Sequence, residues 1–284
     1  MAKFGQLRSA GVRLRRLALA IGLASLPLGA ALAQSADDGG QSLQEAAQNP
    51  IASLISVPFQ GNIYTGVGPD DDALYVLNIQ PVVPISFNER WNVIVRPILP
   101  VIHTPELGPG FGDDTGIGNL LVETFVSPSQ PVPSSIGDIV WGVGGVLGLP
   151  THTAPSLGSR NYTAGPAFVT FINKAPFTYG FLLFNQWSFA GPASAPDTNA
   201  MTLQPFLNYN LSNGWSVGTA PIISANWEAS DDKWTVPIGG GVTKLMTVGK
   251  QPINIQLRGY YNVIRPDEGP EFQSQLALTF LFPK

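Results

Sequence analysis

The stretch Gln251-Pro252-Ile253-Asn254-Ile255-Gln256-Leu257-Arg258-Gly259-Tyr260-Tyr261-Asn262 decides the fold class. Ile253, Ile255, Leu257 and Tyr261 fall on one face of an extended chain, and Asn254, Gln256, Arg258 and Asn262 on the other. That is a period of two, the signature of a β-strand with one oily and one polar face. The same alternation recurs along the chain. Asn78 and Gln80 oppose Tyr75, Leu77 and Ile79. Thr202, Gln204, Asn208 and Asn210 oppose Leu203, Leu207, Tyr209 and Leu211, and Gln273, Gln275 and Thr279 oppose Phe272, Leu276, Leu278, Phe280 and Phe282.

Working outward, the pattern predicts twelve strands, at 51–61, 73–86, 91–102, 116–127, 137–149, 161–173, 177–189, 200–211, 215–227, 234–247, 252–263 and 271–282. A soluble sandwich would alternate too. Three features point instead to an all-β, single closed antiparallel transmembrane barrel. The polar face carries Asn, Gln, Thr and Ser rather than Lys and Glu, which suits an enclosed lumen. Aromatic residues cluster at run ends (Trp91, Phe177, Tyr179, Trp187, Phe189, Trp215, Trp227, Trp234, Phe280, Phe282), where interfacial girdles belong. Tight connections at 88–89, 174–176, 212–214 and 249–250 alternate with longer ones at 62–72, 103–115, 150–160, 190–199, 228–233 and 264–270. Short periplasmic turns and long external loops have that rhythm. The connection 128–136 breaks it, being long where a turn is due. Gly142-Val143-Gly144-Gly145 and Gly239-Gly240-Gly241 lie inside strands and are expected to mark kinks or bulges.

Bulk composition agrees. Of 284 residues only 12% are charged, against 44% apolar, whereas soluble domains carry about 25% charge. No internal stretch reaches the roughly 20 apolar residues of a membrane helix. The absence of cysteine excludes a disulfide scaffold, a thiol nucleophile and a thiolate metal site. Lys3, Arg8, Arg13, Arg15 and Arg16, then the apolar run Leu17–Leu28, then Ala31-Leu32-Ala33 read as a signal peptide over 1–33, cleaved before Gln34. The remainder holds ten basic against nineteen acidic side chains, a net charge of −9, so nucleic acid is not an expected partner. The expected organisation is therefore a leader at 1–33, a periplasmic or plug segment at 34–50 with helix formers at Leu43–Gln48, and a barrel at 51–284 in the bacterial outer membrane. Its partners would be lipid and lipopolysaccharide, the barrel-assembly machinery and a small-molecule solute, with no cofactor and no metal.

Three segments resemble a known family. They are Asn49-Pro50-Ile51-Ala52-Ser53-Leu54-Ile55-Ser56-Val57-Pro58-Phe59-Gln60, Gly112-Asp113-Asp114-Thr115-Gly116-Ile117-Gly118-Asn119, and Gln275-Leu276-Ala277-Leu278-Thr279-Phe280-Leu281-Phe282. The chain is similar in these to the bacterial outer-membrane proteins grouped as the MetA-pathway of phenol degradation family. The resemblance implies a barrel for uptake of aromatic or other small organic compounds, and carries over no catalytic residues.

The residues expected to line the lumen are Arg96, Glu123, Arg258, Asn78, Gln80, Gln204, Asn208, Asn254, Gln256, Gln273 and Gln275. Charged groups at a constriction set the field a solute feels, but Arg96 and Glu123 on adjacent strands could equally hold each other as a wall-bracing ion pair. Asp70-Asp71-Asp72, Asp113-Asp114 and Asp231-Asp232 read as solvated loop charge rather than as a Ca²⁺ site, since no EF-hand spacing is present. His103 and His152, with Ser156 and Ser159 near the latter, are the only raw material for a membrane hydrolase, and no G-x-S-x-G elbow accompanies them. The expected function is a channel or carrier for passive uptake of small, aromatic or hydrophobic solutes. A structural or adhesive barrel with a closed lumen is the alternative, and an enzyme is not expected.

Overall fold

The computed structural model describes residues 43–106 and 113–283. The expected leader at 1–33, its cleavage site and the polar stretch up to residue 42 lie outside the described residues, as do 107–112.

From Ile55 onward the chain runs as twelve antiparallel strands closed into a barrel. They are β1 Ile55–Val67, β2 in two pieces Asp72–Ile79 and Val83–Ser86, β3 Trp91–Thr104, β4 in two pieces Asp114–Ile117 and Leu120–Pro128, β5 Gly137–Leu149 and β6 Tyr162–Lys174. There follow β7 Phe177–Ala190, β8 Asn199–Asn210, β9 in two pieces Trp215–Thr219 and Ile223–Asn226, β10 Trp234–Val248, β11 Gln251–Ile264 and β12 Phe272–Phe282. Each strand pairs with its sequence neighbours, and β12 returns to β1 in unbroken register from Ile55↔Phe282 to Thr65↔Phe272. Among the described residues no strand is left as a free sheet edge, as closure into a barrel requires.

The first strand is displaced from its expected place. It begins at Ile55, not Ile51, and runs on to Val67, so the connection to β2 shrinks from the expected long loop to residues 68–71. Ile51, Ala52 and Leu54 look like strand residues because they are apolar, but they are buried inside the barrel instead. The irregular connection 128–136 also resolves. Val132–Ser134 pairs with Gly137–Ile139 as an extension of β5, and Ser134 Oγ donates to the Gly137 carbonyl at 2.6 Å.

Outward faces are oily. Ile63, Leu77, Val143, Leu207, Leu257 and Leu276 are each at least one-third exposed. Aromatic pairs rim both ends. Trp91–Trp141 and Phe177–Tyr209 sit by the tight turns, with Lys244 Nζ 4.9 Å above the Trp215 ring; Trp227–Trp234 and Tyr162–Phe189 sit by the long loops. No helix among the described residues is long and apolar enough to cross a membrane.

Candidate functional site

Among the described residues, unlike chemistry converges on the interior of the barrel, and this interior has two halves. Across β12, β1, β2, β3 and β4 it is a polar wall. Asn62, 1% exposed, accepts through Oδ1 from Gln273 Nε2 at 2.9 Å, Gln275 Nε2 at 3.1 Å and Gln60 Nε2 at 3.3 Å. Gln80 Nε2 donates to Gln60 Oε1, and Gln80 Oε1 accepts from Arg96 Nη2 at 2.6 Å. Arg96 Nη1 in turn lies 3.1 Å from Glu123 Oε2. Asn78 lies on the same face of β2 as Gln80. An amide can donate and accept at once, so a row of them closes on itself and leaves no buried polar atom unpaired.

The other half is apolar, which corrects the expectation of an amide-lined lumen throughout. Ile94, Phe125, Val140, Val146, Ala167, Val169, Phe171, Leu182, Phe184 and Phe206 form one buried cluster on the inner faces of β3 to β8. The cause lies in β6. Ala167, Val169 and Phe171 point inward while Phe168 and Ile172 point outward. Both faces of this strand are oily, so its sequence carries no alternation from which the inner lining could be read.

Into this interior the chain folds its own N-terminal segment. The helix α1, Leu43–Gln48, is short and cannot stand alone. It is held by side chains. Gln44 Nε2 donates to Asn210 Oδ1 at 3.2 Å and to the Trp215 carbonyl at 2.9 Å. Gln48 Nε2 donates to Asn210 Oδ1 at 2.8 Å and to Ser216 Oγ at 3.2 Å, while Thr178 Oγ1 donates to Gln48 Oε1 at 2.5 Å. Its apolar side, Leu43, Ala46 and Ala47, packs with Leu54 on Leu245 and Leu281. Pro50 ends the helix, and Ile51, 2% exposed, enters the apolar cluster beside Phe125. Gly142 makes room for it, because a Cβ there would sit 3.1 Å from Phe125 and 3.4 Å from Ile51 Cδ1. The segment therefore fills the barrel end that carries the tight turns. Beneath it, the 128–136 connection closes over a cavity of about 260 Å³ lined by Asn49, Ile51, Leu54, Pro131 and Val140.

Above α1 lies a smaller cavity of about 120 Å³, where Arg96 and Arg258 meet Gln204, Asn208, Asn254 and Gln256. These residues come from β3, β8 and β11, so closure of the barrel alone brings them together. Asn208 Nδ2 donates to Thr178 Oγ1, and Arg258 Nη2 reaches Asn208 Oδ1 at 3.4 Å. A chain of polar contacts thus runs from Gln48 to Arg258.

The wall beside this cavity is interrupted. β9 pairs with β10 from Trp215↔Lys244 to Gly218↔Gly241, then again only at Ser224↔Thr235 and Ala225↔Trp234. It pairs with β8 from Asn210↔Ser216 to Leu207↔Thr219 and again at Leu203↔Ile223. The register is the same on both sides of each break, and continuing it sets Pro205, Pro221 and Ile238 side by side, with Pro237 adjacent. Proline has no N–H for a ladder. Two side chains take over the freed backbone groups: the Ala220 N–H donates to the Tyr260 hydroxyl at 3.1 Å, and Gln204 Nε2 donates to the Ala220 carbonyl at 3.3 Å. No sequence signal marks this break, since three scattered prolines become one feature only through strand register. The glycine runs expected to mark kinks or bulges carry no bulge: Gly239–Gly241 pair in register with Tyr260–Arg258 and Gly142–Gly145 with Val169–Pro166, and the bulge on β10 lies between Val236 and Pro237.

The candidate catalytic groups stay apart. His152 Nδ1 contacts Asn119 Oδ1 at 2.8 Å, Ser156 Oγ donates to Asp114 Oδ2 at 2.5 Å, and His103 Nδ1 contacts Thr115 Oγ1 at 2.8 Å. Among the described residues neither histidine bonds a serine. Asp70, Asp71, Asp72, Asp231 and Asp232 are exposed.

A closed antiparallel barrel with an oily outer belt is the architecture of channels and porins that sit in outer membranes. The fold is similar to that of an outer membrane channel from Pseudomonas putida F1, at 16% identity over 82% of this chain and 97% of that one, with a TM-score of 0.60. It is also similar to the NanC porin, at 8% identity over 80% of this chain and 100% of that one, with a TM-score of 0.51. No family model matches the chain, and no curated protein matches it in sequence.

Proposed function

We propose that the chain is an outer-membrane channel or carrier that lets small, partly apolar solutes cross passively. The carrying observation is the divided interior: an amide wall faces an apolar wall across a path that the N-terminal segment occupies at one end. A solute with a polar edge and an oily body would be matched on both sides. Thirteen-residue strands such as β1, rising about 3.3 Å per residue and tilted about 40°, span roughly 33 Å, close to the thickness of a hydrocarbon core. The even strand number puts both ends of the barrel chain on one side, which we read as periplasmic. The interruption at Pro205 and Pro221 supports an exit for oily solutes sideways into the bilayer, since that is where fewest ladder bonds close the wall. The likeness of Asn49–Gln60 to the MetA-pathway family is in keeping with small organic compounds as cargo, and lipid, lipopolysaccharide and the assembly machinery are the other partners this reading entails.

Proteoliposomes containing the purified barrel test it. Radiolabelled phenols or benzoates should enter faster than into protein-free vesicles, and faster still when residues 35–48 are deleted. Entry at the protein-free rate for both proteins would leave a structural barrel as the surviving reading.

A further inference from the structure

Arg258 stands in a position that calls for an anion. Arg96 is neutralised by Glu123 at 3.1 Å, but among the described residues no carboxylate lies within ion-pair distance of Arg258. Its Nη2 has one long contact, to Asn208 Oδ1 at 3.4 Å, and its Nε is buried without a hydrogen-bond partner. The phenol of Tyr260, its same-face neighbour on β11, is the second group that hydrogen-bonds the guanidinium, and neither partner carries a full negative charge. A buried, incompletely bonded guanidinium is costly to keep, and strands closing a barrel do not require one, because Asn254 and Gln256 serve the adjoining inward positions of β11 as neutral amides.

The space in front of it has matching chemistry. The charged residues lining the cavity of about 120 Å³ are Arg96 and Arg258, both cations, and the remainder includes the amides Gln204 and Gln256 and the ring of Phe206. One buried water needs about 10–15 Å³ on this measure, so the cavity holds on the order of ten waters or one small organic acid.

We propose that this cavity is a binding site for a small monocarboxylate, whose oxygens take the free edge of Arg258 and a neighbouring amide while its apolar body lies on Phe206 and Ala220. A planar carboxylate fits the guanidinium fork with two parallel bonds. One uncommitted cation suits a monoanion better than a phosphate dianion. The site rests on the reading of the interior as a solute path, and it adds the charge class of the solute to that reading. The contact chain Arg258–Asn208–Thr178–Gln48 places the bound acid one relay away from the N-terminal helix.

The test is isothermal titration of the detergent-solubilised mature protein with sodium benzoate, with benzamide as its neutral isostere, and with sodium chloride. Benzoate should bind at least tenfold more tightly than benzamide, and Arg258→Gln should remove that preference. Arg258→Lys, a point charge without the fork, should keep part of it. Ala220→Leu, which fills the cavity and leaves every charge in place, should weaken both ligands, so the proposal stays testable if Arg258→Gln does not fold. Equal affinity for benzoate and benzamide, unchanged benzoate binding in Arg258→Gln, or displacement of benzoate by equimolar chloride would each overturn it. Binding as described without passage in proteoliposomes would overturn the channel reading and leave the site standing.

Discussion

Thr178, on the inner face of β7, donates its hydroxyl proton to the side-chain carbonyl of Gln48 at 2.5 Å, and so fastens the N-terminal helix to a wall 130 residues further along the chain. With Gln44 and Gln48 both bonded to Asn210, four wall residues, Thr178, Asn210, Trp215 and Ser216, hold two glutamines in place. The helix is retained by a few polar bonds, each worth about 0.5–1.5 kcal/mol net, and by the burial of Ile51.

Replacing both glutamines, Gln44→Ala with Gln48→Ala, is therefore expected to release the helix without opening the barrel. Single-channel recordings in planar bilayers should show larger or longer openings than wild type. Conductance traces identical to wild type would mean that the helix does not obstruct the path.

Ile51→Ala is expected to cost about 2–4 kcal/mol at the contact with Phe125, a loss felt by the inserted segment rather than by the strands. Amide hydrogen exchange should rise across residues 43–54 and stay unchanged in β5 and β6. Gly142→Val, which puts methyl groups where Ile51 sits, should give the same pattern from the opposite side of the contact.

Glu123→Gln leaves Arg96 with an amide in place of its counter-ion. Removing one member of a buried pair costs about 3–5 kcal/mol, so a lower melting temperature is expected, together with a shift of the reversal potential toward anion selectivity. In a double-mutant cycle with Arg96→Met, the second substitution should recover most of the loss. Additive losses would show that the two side chains do not depend on each other.

The chain has no cysteine, so a disulfide can be introduced cleanly across the wall interruption. Pro221→Cys with Ile238→Cys places two thiols on facing strands. Oxidation should slow the uptake of oily solutes several-fold and leave ion conductance as it was, with full recovery on reduction. An equal effect on both readouts would place the oily route along the barrel axis.

How much of this is legible from residue order depends on contrast between faces. The strand Gln251–Ile264 declares itself because Asn254 and Gln256 alternate with Ile253 and Ile255. Twelve extended runs, most of them alternating in this way and bounded by turn residues, give the strand number. β6 does not declare its lining, because Val169 looks inward and Phe168 outward and both are oily. Ile51 and Leu54 read as the start of a strand, because periodicity cannot tell an apolar residue facing lipid from one folded into a lumen. Arg258 and Glu123 could be placed on polar faces, but which cation keeps a partner depends on strand order and register. The break at Pro205 and Pro221 depends on register alone.

Leu281 is almost the last residue of β12, where Ser56 is its partner across the barrel seam, and it is also packed against Ala52 and Leu54 of the inserted segment. The berth for the inserted segment is thus incomplete until β12 has been delivered and the seam zipped. Assembly is ordered by this geometry: the barrel must close before the inserted segment finds its full seat. A break within β12 ahead of Leu281 would weaken the seam and remove the seat of the inserted segment in one stroke.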